Sequence, residues 1–157
     1  MSPDRKIEAE KIHIVTVRTL SGSIEGSFDQ ETNEVAGYSF GFELATAVNA
    51  PQKMVGLKLV VSIATVDKQD NPLPAKGAYT HEMIFRVENL DDFIEKEEGK
   101  KIRIDPVLGS TLVGIFYSTV RGIIFSRTQG TPLKEVVLPV IAPLKLMKIE
   151  NETKKAK

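Results

Sequence analysis

One stretch of the chain decides the fold: DPVLGSTLVGIFYSTVRGIIFSRTQGTP, residues 105–132. Asp105 belongs to the residue types that cap helix N-termini, and Pro106 suits the first helical position because it has no amide hydrogen to leave unpaired. Gly130 and Pro132 are typical of the region just beyond a helix C-terminus. The sequence therefore predicts one helix of about 23 residues, about 35 Å long at 1.5 Å per residue.

The predicted helix is apolar around nearly all of its circumference. Its apolar positions form two stripes, with Leu108, Leu112, Ile115, Phe116, Thr119 and Ile123 in one and Val107, Val113, Val120 and Ile124 in the other. A helix that is apolar all round is buried all round. Because one sheet can cover only one side of it, we expect a second subunit to cover the rest.

Small residues recur at every fourth position of the same helix. They are Ser110, Gly114, Ser118, Gly122 and Ser126. Such a row lets a second helix approach closely, and it either forms an oligomer interface or lies on the helix's own sheet. The apolar circumference favours the interface. Arg121, within the apolar helix, either pairs across that interface or extends its stem to the helix edge.

The chain before this helix alternates between apolar and polar residues, as half-buried strands do. Four strands are predicted, at Ile7–Leu20, Tyr38–Ala47, Val55–Val66 and Tyr79–Val87. In the second, Tyr38, Phe40, Phe42 and Leu44 share one face. Alternation favours an antiparallel sheet with one buried face and one wetter face.

An apolar segment with three prolines follows the helix, from Thr131 to Leu144. Proline removes backbone donors and blocks a regular central strand or long helix, so we expect an extended loop lying on an apolar surface. Residues 148–157 are polar, and we expect them to form a disordered tail beyond a single domain at 1–147. The fold class is therefore α+β: a four-stranded antiparallel sheet, then one long helix and a proline-containing apolar crossover loop.

Composition narrows the function classes. Lys+Arg and Asp+Glu both total 21, and a neutral chain lacks the positive excess of a general nucleic-acid binder. There is no cysteine, which excludes thiolate nucleophiles and disulfides. The polar N-terminus has no apolar core typical of a secretory signal, and the uncharged run from Pro106 to Val120 is short for a membrane span. We expect a cytoplasmic protein without membrane insertion.

Catalytic and metal-binding patterns are missing from the sequence. It has no phosphate-binding glycine loop with a lysine and no grouping of nucleophile, base and orienting residue. His13 and His81 are the only histidines, and they fall on different predicted strands. Two strand histidines are more simply explained as structural residues than as metal ligands. We predict a non-enzymatic protein with no metal and no cofactor.

The segment from Leu108 to Ile124 resembles the main helix of the SecB-type export chaperone family. Residues 126–132, SRTQGTP, and Leu138-Pro139-Val140 are similar to the family's helix end and crossover loop. The resemblance covers about a quarter of the chain, and the strand order agrees over most of the rest. It implies a homotetramer, a dimer of dimers with the long helices between two sheets, and neither catalysis nor a cofactor.

The resemblance also implies a function, which is to hold unfolded or pre-export polypeptides in apolar grooves and to deliver them to the translocation machinery. The implied client-binding residues are Tyr38, Phe40, Phe42 and Leu44 on the second strand, and Val136, Val137, Leu138 and Val140 in the loop. An exposed apolar patch of this kind suits the capture of many clients. The alternative for the strand residues is that they are core beneath the helix.

Two departures from the family pattern bear on partners. Family members that deliver clients to the SecA motor are typically acidic, whereas this chain is neutral and ends in the basic run TKKAK. Residues 143–146 stand where the family's second helix begins, and we expect that helix to be shortened. Both departures argue against SecA docking and leave open a narrower client, such as an antitoxin.

Two other classes of function remain. One is a non-catalytic oligomeric adaptor or scaffold that binds one defined protein partner. The other is an enzyme or small-molecule binder of the hot-dog type, in which a sheet also wraps around a long helix. In that fold the helix precedes most of the strands, whereas here it follows all four, so we rank it last.

Overall fold

A four-stranded antiparallel sheet forms the centre of the molecule. The computed structural model describes residues 5–26, 35–96 and 101–156. The strands are β1 (Ile12–Glu25), β2 (Gly37–Asn49), β3 (Met54–Val66) and β4 (Pro72–Val87), in the order β1-β4-β3-β2. All three pairings are antiparallel, as the alternating sequence predicted. β1 and β2 are therefore the two edges of the sheet.

Two strands differ in their bounds from the prediction. β1 is displaced by five residues from the predicted Ile7–Leu20: Ala9–Lys11 form a 3-10 turn, the strand begins at Ile12, and it continues to Glu25, where a polar connection was expected. β4 is longer than predicted and begins at Pro72, within the loop that Pro72 and Pro74 indicated. Residues 27–34, the rest of the expected connection, lie outside the described residues.

One face of the sheet carries the core. Its alternate residues are buried, including Leu57, Leu59, Val61 and Ile63 of β3 and Tyr79, His81, Met83, Phe85 and Val87 of β4. The opposite face is mixed: Val60 and Ile84 are half-buried there among small, polar and charged residues, and an ion pair between Arg18 and Glu82 joins β1 to β4. In the part of the chain that the structure describes, the buried core therefore lies on one side of the sheet.

The long helix, α1, spans Pro106–Arg127. The Asp105 carboxylate accepts a hydrogen bond from the amide of Val107 at 2.9 Å, which is the predicted N-cap. Beyond the helix end Gly130 has a φ of +74°, a backbone conformation that glycine adopts without strain. A small hairpin of β5 (Ile94–Lys96) and β6 (Ile102–Ile104) precedes the helix.

Only part of α1 is buried within the chain. Its buried residues are Leu108, Gly109, Leu112, Val113, Phe116, Tyr117, Val120 and Ile124, which pack with the sheet in one core cluster. On the other side Val107 and Phe125 are about half exposed. By length and composition alone the helix could also cross a bilayer, a test that buried core helices of soluble proteins pass as well.

The C-terminal region differs from the sequence prediction. Pro143–Ala156 form a second helix, α2, of 14 residues. The expectation of a disordered tail over 148–157 was therefore wrong for 148–156, which lie in α2, whereas the expected shortening of the second helix relative to the family stays a prediction. The helix is held by its contacts: Leu146 is buried in the core cluster and Glu150 is 8% exposed. The domain boundary expected after residue 147 falls inside α2.

His81 is a titratable group sealed in the core. Its side chain is fully buried, and among the described residues neither ring nitrogen has a hydrogen-bond partner. Its ring stacks on Tyr79 with centroids 6.0 Å apart. Burial, and to a smaller extent the positive charge of Arg127, lower the pKa of His81.

The acid stability of the fold should depend on His81. Because its pKa is lower in the folded state, the unfolded chain binds the proton first as pH falls below about 6.5. Stability is therefore lost as pH falls from about 6.5 through the folded pKa. We expect the midpoint of urea unfolding to depend less on pH between pH 7 and pH 5 in His81→Leu than in the wild type. An unchanged pH dependence in His81→Leu would contradict this explanation.

Candidate functional site

A row of aromatic side chains runs along the edge strand β2. Tyr38, Phe40 and Phe42 lie on the core-facing side, with neighbouring ring centroids 6.4 and 6.3 Å apart. All three are only half-buried, whereas the corresponding residues of the central strand β3 are fully buried. The row lies at the margin of the core because β2 is an edge of the sheet that the described residues form.

The crossover loop, residues 131–142, is fastened beside this row. Phe42 makes an edge-to-face contact with Tyr117 of α1, with centroids 5.9 Å apart. The Tyr117 hydroxyl in turn donates a hydrogen bond to the carbonyl of Pro139. Burial raises the pKa of Tyr117 to about 12, against a smaller opposing effect of Arg121. One tyrosine thus joins the strand, the helix and the loop.

The loop alternates between buried and exposed residues. Val136 and Leu138 are buried, at 0% and 2% exposure, whereas Val137 and Val140 are 58% and 87% exposed. Burial raises the pKa of Tyr38, and the charge of the Glu135 carboxylate in the loop adds to this shift. We call the surface formed by Tyr38, Phe40, Phe42, Val137 and Val140 the aromatic surface.

The structure divides the eight predicted binding residues into two groups. The five residues of the aromatic surface are accessible to a partner. The other three, Leu44, Val136 and Leu138, belong to the core cluster. These three residues are part of the core next to the accessible residues, and a direct role for them in binding stays a prediction.

α2 closes one end of the site. The Glu150 carboxylate accepts hydrogen bonds from the amide and the hydroxyl of Thr46 in β2, at 2.8 and 3.0 Å. The sequence reasoning missed this contact because it placed Glu150 in a disordered tail. The sequence does contain a signal for a helix here. The i, i+3, i+4, i+7 spacing of a helix face is found at Pro143, Leu146, Met147 and Glu150.

The small-residue row on α1 points mainly to solvent. Ser118, Gly122 and Ser126 are exposed, and a Cβ added to Gly122 would meet no atom within 4 Å. Gly114 does approach another element, with Pro143 of α2 3.4 Å from such a Cβ. The second half of the row therefore does not lie on the sheet of its own chain. Ser110 and Arg121, the remaining predicted interface residues, are half-buried.

A further apolar surface was not predicted from sequence. On the edge strand β1, Ile14, Val15, Val17 and Leu20 are between 37% and 53% exposed. The pairing of β1 with β4 shifts register at Val15 and at Leu20, so alternation is broken at both points. A strand interrupted by bulges cannot be assigned faces by a simple period of two.

Removing the Tyr117 hydroxyl should loosen the loop. The variant Tyr117→Phe keeps the ring contact with Phe42 but leaves the Pro139 carbonyl without its donor. We expect a loss of about 1 kcal/mol in the free energy of unfolding, and faster amide hydrogen exchange in residues 136–142. The matched variant Tyr79→Phe should not affect exchange in the loop. Equal exchange rates in wild type and Tyr117→Phe would show that the hydroxyl does not fasten the loop.

The described residues contain no group of three or more metal-ligating side chains, and their only strongly buried histidine is the unpartnered His81. Among the described residues, the site offers apolar area along an edge strand of the sheet. This chemistry suits the binding of an extended, partly apolar chain.

The comparisons with known proteins agree with the fold. No family model matches the chain, and no curated protein matches it. Its four-stranded antiparallel sheet, long helix, crossover loop and second helix define a SecB-like fold, as the sequence resemblance implied.

The particular structure that shows this is the SecB-like chaperone Rv1957 of Mycobacterium tuberculosis, solved in complex with a ChAD peptide from the Rv1956 HigA1 antitoxin. The TM-score is 0.59 at 14% identity, over 85% of this chain and 92% of that one. A protein of unknown function from Streptococcus agalactiae also matches, with a TM-score of 0.35 and 11% identity over 83% of this chain and 96% of that one.

Proposed function

We propose that this protein is a holding chaperone that binds unfolded polypeptides on the aromatic surface. The observation that carries the proposal is the row of Tyr38, Phe40 and Phe42 left half-exposed beside the exposed Val137 and Val140. A stable monomeric core would cover such side chains, and exposed apolar patches mark binding sites. The SecB-like fold supports the proposal, because its solved neighbour from M. tuberculosis is a chaperone with a bound peptide.

The protein acts without catalysis or a cofactor, in the cytoplasm, as a homo-oligomer. The exposed side of α1 supports the oligomer, since Val107, Ile115, Ile123 and Phe125 leave apolar area uncovered beside the row of small residues. A tetramer built as a dimer of dimers, with the α1 helices between two sheets, would cover this area. Arg121 would then lie at or near the interface.

Delivery to a motor such as SecA has less support than client holding. The outer face of the sheet carries charges of both signs, including Arg18 paired with Glu82 and Lys76 paired with Glu25. A mixed, neutral face offers no strong field to a basic partner. We therefore propose that the protein holds unfolded clients, and the proposal does not include their delivery to the export machinery.

The direct test is suppression of aggregation. A chemically unfolded client diluted into buffer should remain soluble at equimolar protein, and two unrelated clients should behave alike. The adaptor alternative makes the opposite prediction, because a protein made for one partner should not protect unrelated chains. Turbidity curves that are the same with and without the protein would reject the chaperone function.

A further inference from the structure

The buried ring of His81 lies next to the least buried strand of the sheet. In the sheet register His81 stands between Thr19 of the edge strand β1 and Leu59 of the central strand β3. Every residue of β1, from Ile12 to Glu25, is at least partly exposed, whereas Leu59 is 1% exposed. Neither ring nitrogen of His81 has a hydrogen-bond partner in the part of the chain that the structure describes. A charged imidazole needs acceptors at both nitrogens, so this ring takes up a proton only once water reaches it.

A break in the strand pairing lies beside His81. β1 shifts register against β4 between Thr19, the partner of His81, and Ser21. Beyond this shift residues 21–25 pair with residues 76–80, and we call residues 21–25 the terminal segment. Within it only Ile24 is half-buried, and the ion pair of Glu25 with Lys76 at 3.4 Å joins two exposed side chains. A bulge interrupts the ladder and an exposed ion pair contributes little, so the terminal segment opens more easily than the core strands.

Tyr79 connects the terminal segment to His81. Its ring stacks on His81, with centroids 6.0 Å apart and an angle of 22° between the ring planes. The same ring lies over Gly22, because a Cβ added to Gly22 would be 2.9 Å from two of its carbons. Tyr79 is 5% exposed. Release of the terminal segment therefore admits water to Tyr79 and, through it, to His81.

The charges around His81 oppose its protonation in the closed state. Arg127 of α1 is the charge that acts on it, and within the described ranges no carboxylate does. Its neighbours on the sheet are the neutral phenol of Tyr79 on β4 and the uncharged Thr19 and Leu59. The ion pair of Arg18 with Glu82 lies on the opposite face of the sheet. A proton on the closed ring would meet a second positive charge and no acceptor, so an opening that admits water is favoured as the pH falls.

We propose that the terminal segment is an acid-released end of β1, which leaves β4 when His81 takes up a proton and uncovers Tyr79 while the rest of the sheet stays paired. The loss of global stability in acid follows from any opening that wets His81, and the bulge makes this local opening the easiest one. The device does not depend on the proposed function. It changes the surface at the β1 side of the sheet, remote from β2, without unfolding the protein.

Native-state amide hydrogen exchange of the full chain, followed by NMR in low concentrations of urea, locates the opening. An exposed histidine has a pKa near about 6.5, so a change from pH 7.5 to pH 5.5 should raise the opening constant by as much as about tenfold. We expect this increase in residues 21–25, after correction for intrinsic exchange rates. We also expect it there without a dependence on urea, because a local opening exposes little surface. Exchange in residues 57–63 of β3 should instead accelerate with urea, as global unfolding does.

Two variants separate the titration from the packing. In His81→Leu the opening constant of the terminal segment should be the same at both pH values, within about twofold. Gly22→Ala adds a methyl group against the Tyr79 ring, so it should raise the opening constant at both pH values and keep their ratio of about ten.

Three results would overturn the proposal. The first is a pH ratio that survives in His81→Leu, because another group would then cause the opening. The second is an opening constant that Gly22→Ala leaves unchanged, because the terminal segment would then not hold the Tyr79 ring. The third is exchange in residues 21–25 with the urea dependence of the core strands, because the acid-linked opening would then be global.

Discussion

Phe116→Ala should lower the free energy of unfolding of the protomer by about 3–5 kcal/mol. Phe116 is 1% exposed in α1 and belongs to the same core cluster as Leu59 and Phe85 of the sheet. Truncation removes apolar burial and leaves a cavity that the surrounding strands cannot fill. Urea unfolding followed by circular dichroism measures the loss, because a lower midpoint at unchanged slope reports stability alone.

The matched control is the same substitution elsewhere on the same helix. Phe125 is 47% exposed, so Phe125→Ala should cost the protomer under about 1 kcal/mol. If α1 forms the proposed subunit interface, that variant should instead weaken self-association. Equal losses of stability in the two variants would mean that the burial difference along α1 is not as described.

The double variant Val137→Asp with Val140→Asp should abolish client holding and leave the fold intact. Both side chains are exposed, so two carboxylates add little cost to the folded state. On the aromatic surface, however, they would have to be desolvated against an apolar client, which costs several kcal/mol per charge. We expect at least a hundredfold loss of affinity for an unfolded client, measured by fluorescence anisotropy.

The control for this prediction lies on the opposite face of the sheet. Ala78 is exposed there, and Ala78→Asp introduces the same charge away from the aromatic surface. It should hold clients as the wild type does. If Ala78→Asp loses client binding and the loop variant retains it, the binding face has been assigned to the wrong side of the sheet.

The central strands and the long helix could be predicted from sequence because their signals are strong and local. β3 has an apolar residue at every second position from Leu57 to Ile63, and α1 has both a capping Asp105 and a terminal Gly130. Each signal depends only on neighbouring residues. The structure confirms these elements.

α2 could not be predicted because its stability comes from tertiary contacts. Its composition is polar. The stabilising role of Glu150 can be recognised only once the fold has brought Thr46, which is distant in sequence, within hydrogen-bond reach of it. The two faces of β1 could not be predicted either, because bulges break the period of two on which such a prediction depends. Sequence patterns predict segments better than they predict the partners of those segments.

The candidate site was predictable in outline. The alternation of β2 placed Tyr38, Phe40 and Phe42 on one face, and the prolines predicted an extended loop. The sequence could not show that Val136 and Leu138 turn inward while Val137 and Val140 turn outward. The loop is held in part by the hydrogen bond from Tyr117 to Pro139, which joins residues of different elements and leaves no local signal in the sequence.

The most direct measurement of the central claim is the mass of the protein in solution by light scattering, alone and with a reduced, unfolded client in the same column run. We predict a mass about four times the 17.3 kDa of one chain, and a heavier peak that contains both proteins when the client is present. A monomer, or an oligomer that elutes unchanged beside every unfolded client, would contradict the holding function and favour an adaptor with one defined partner.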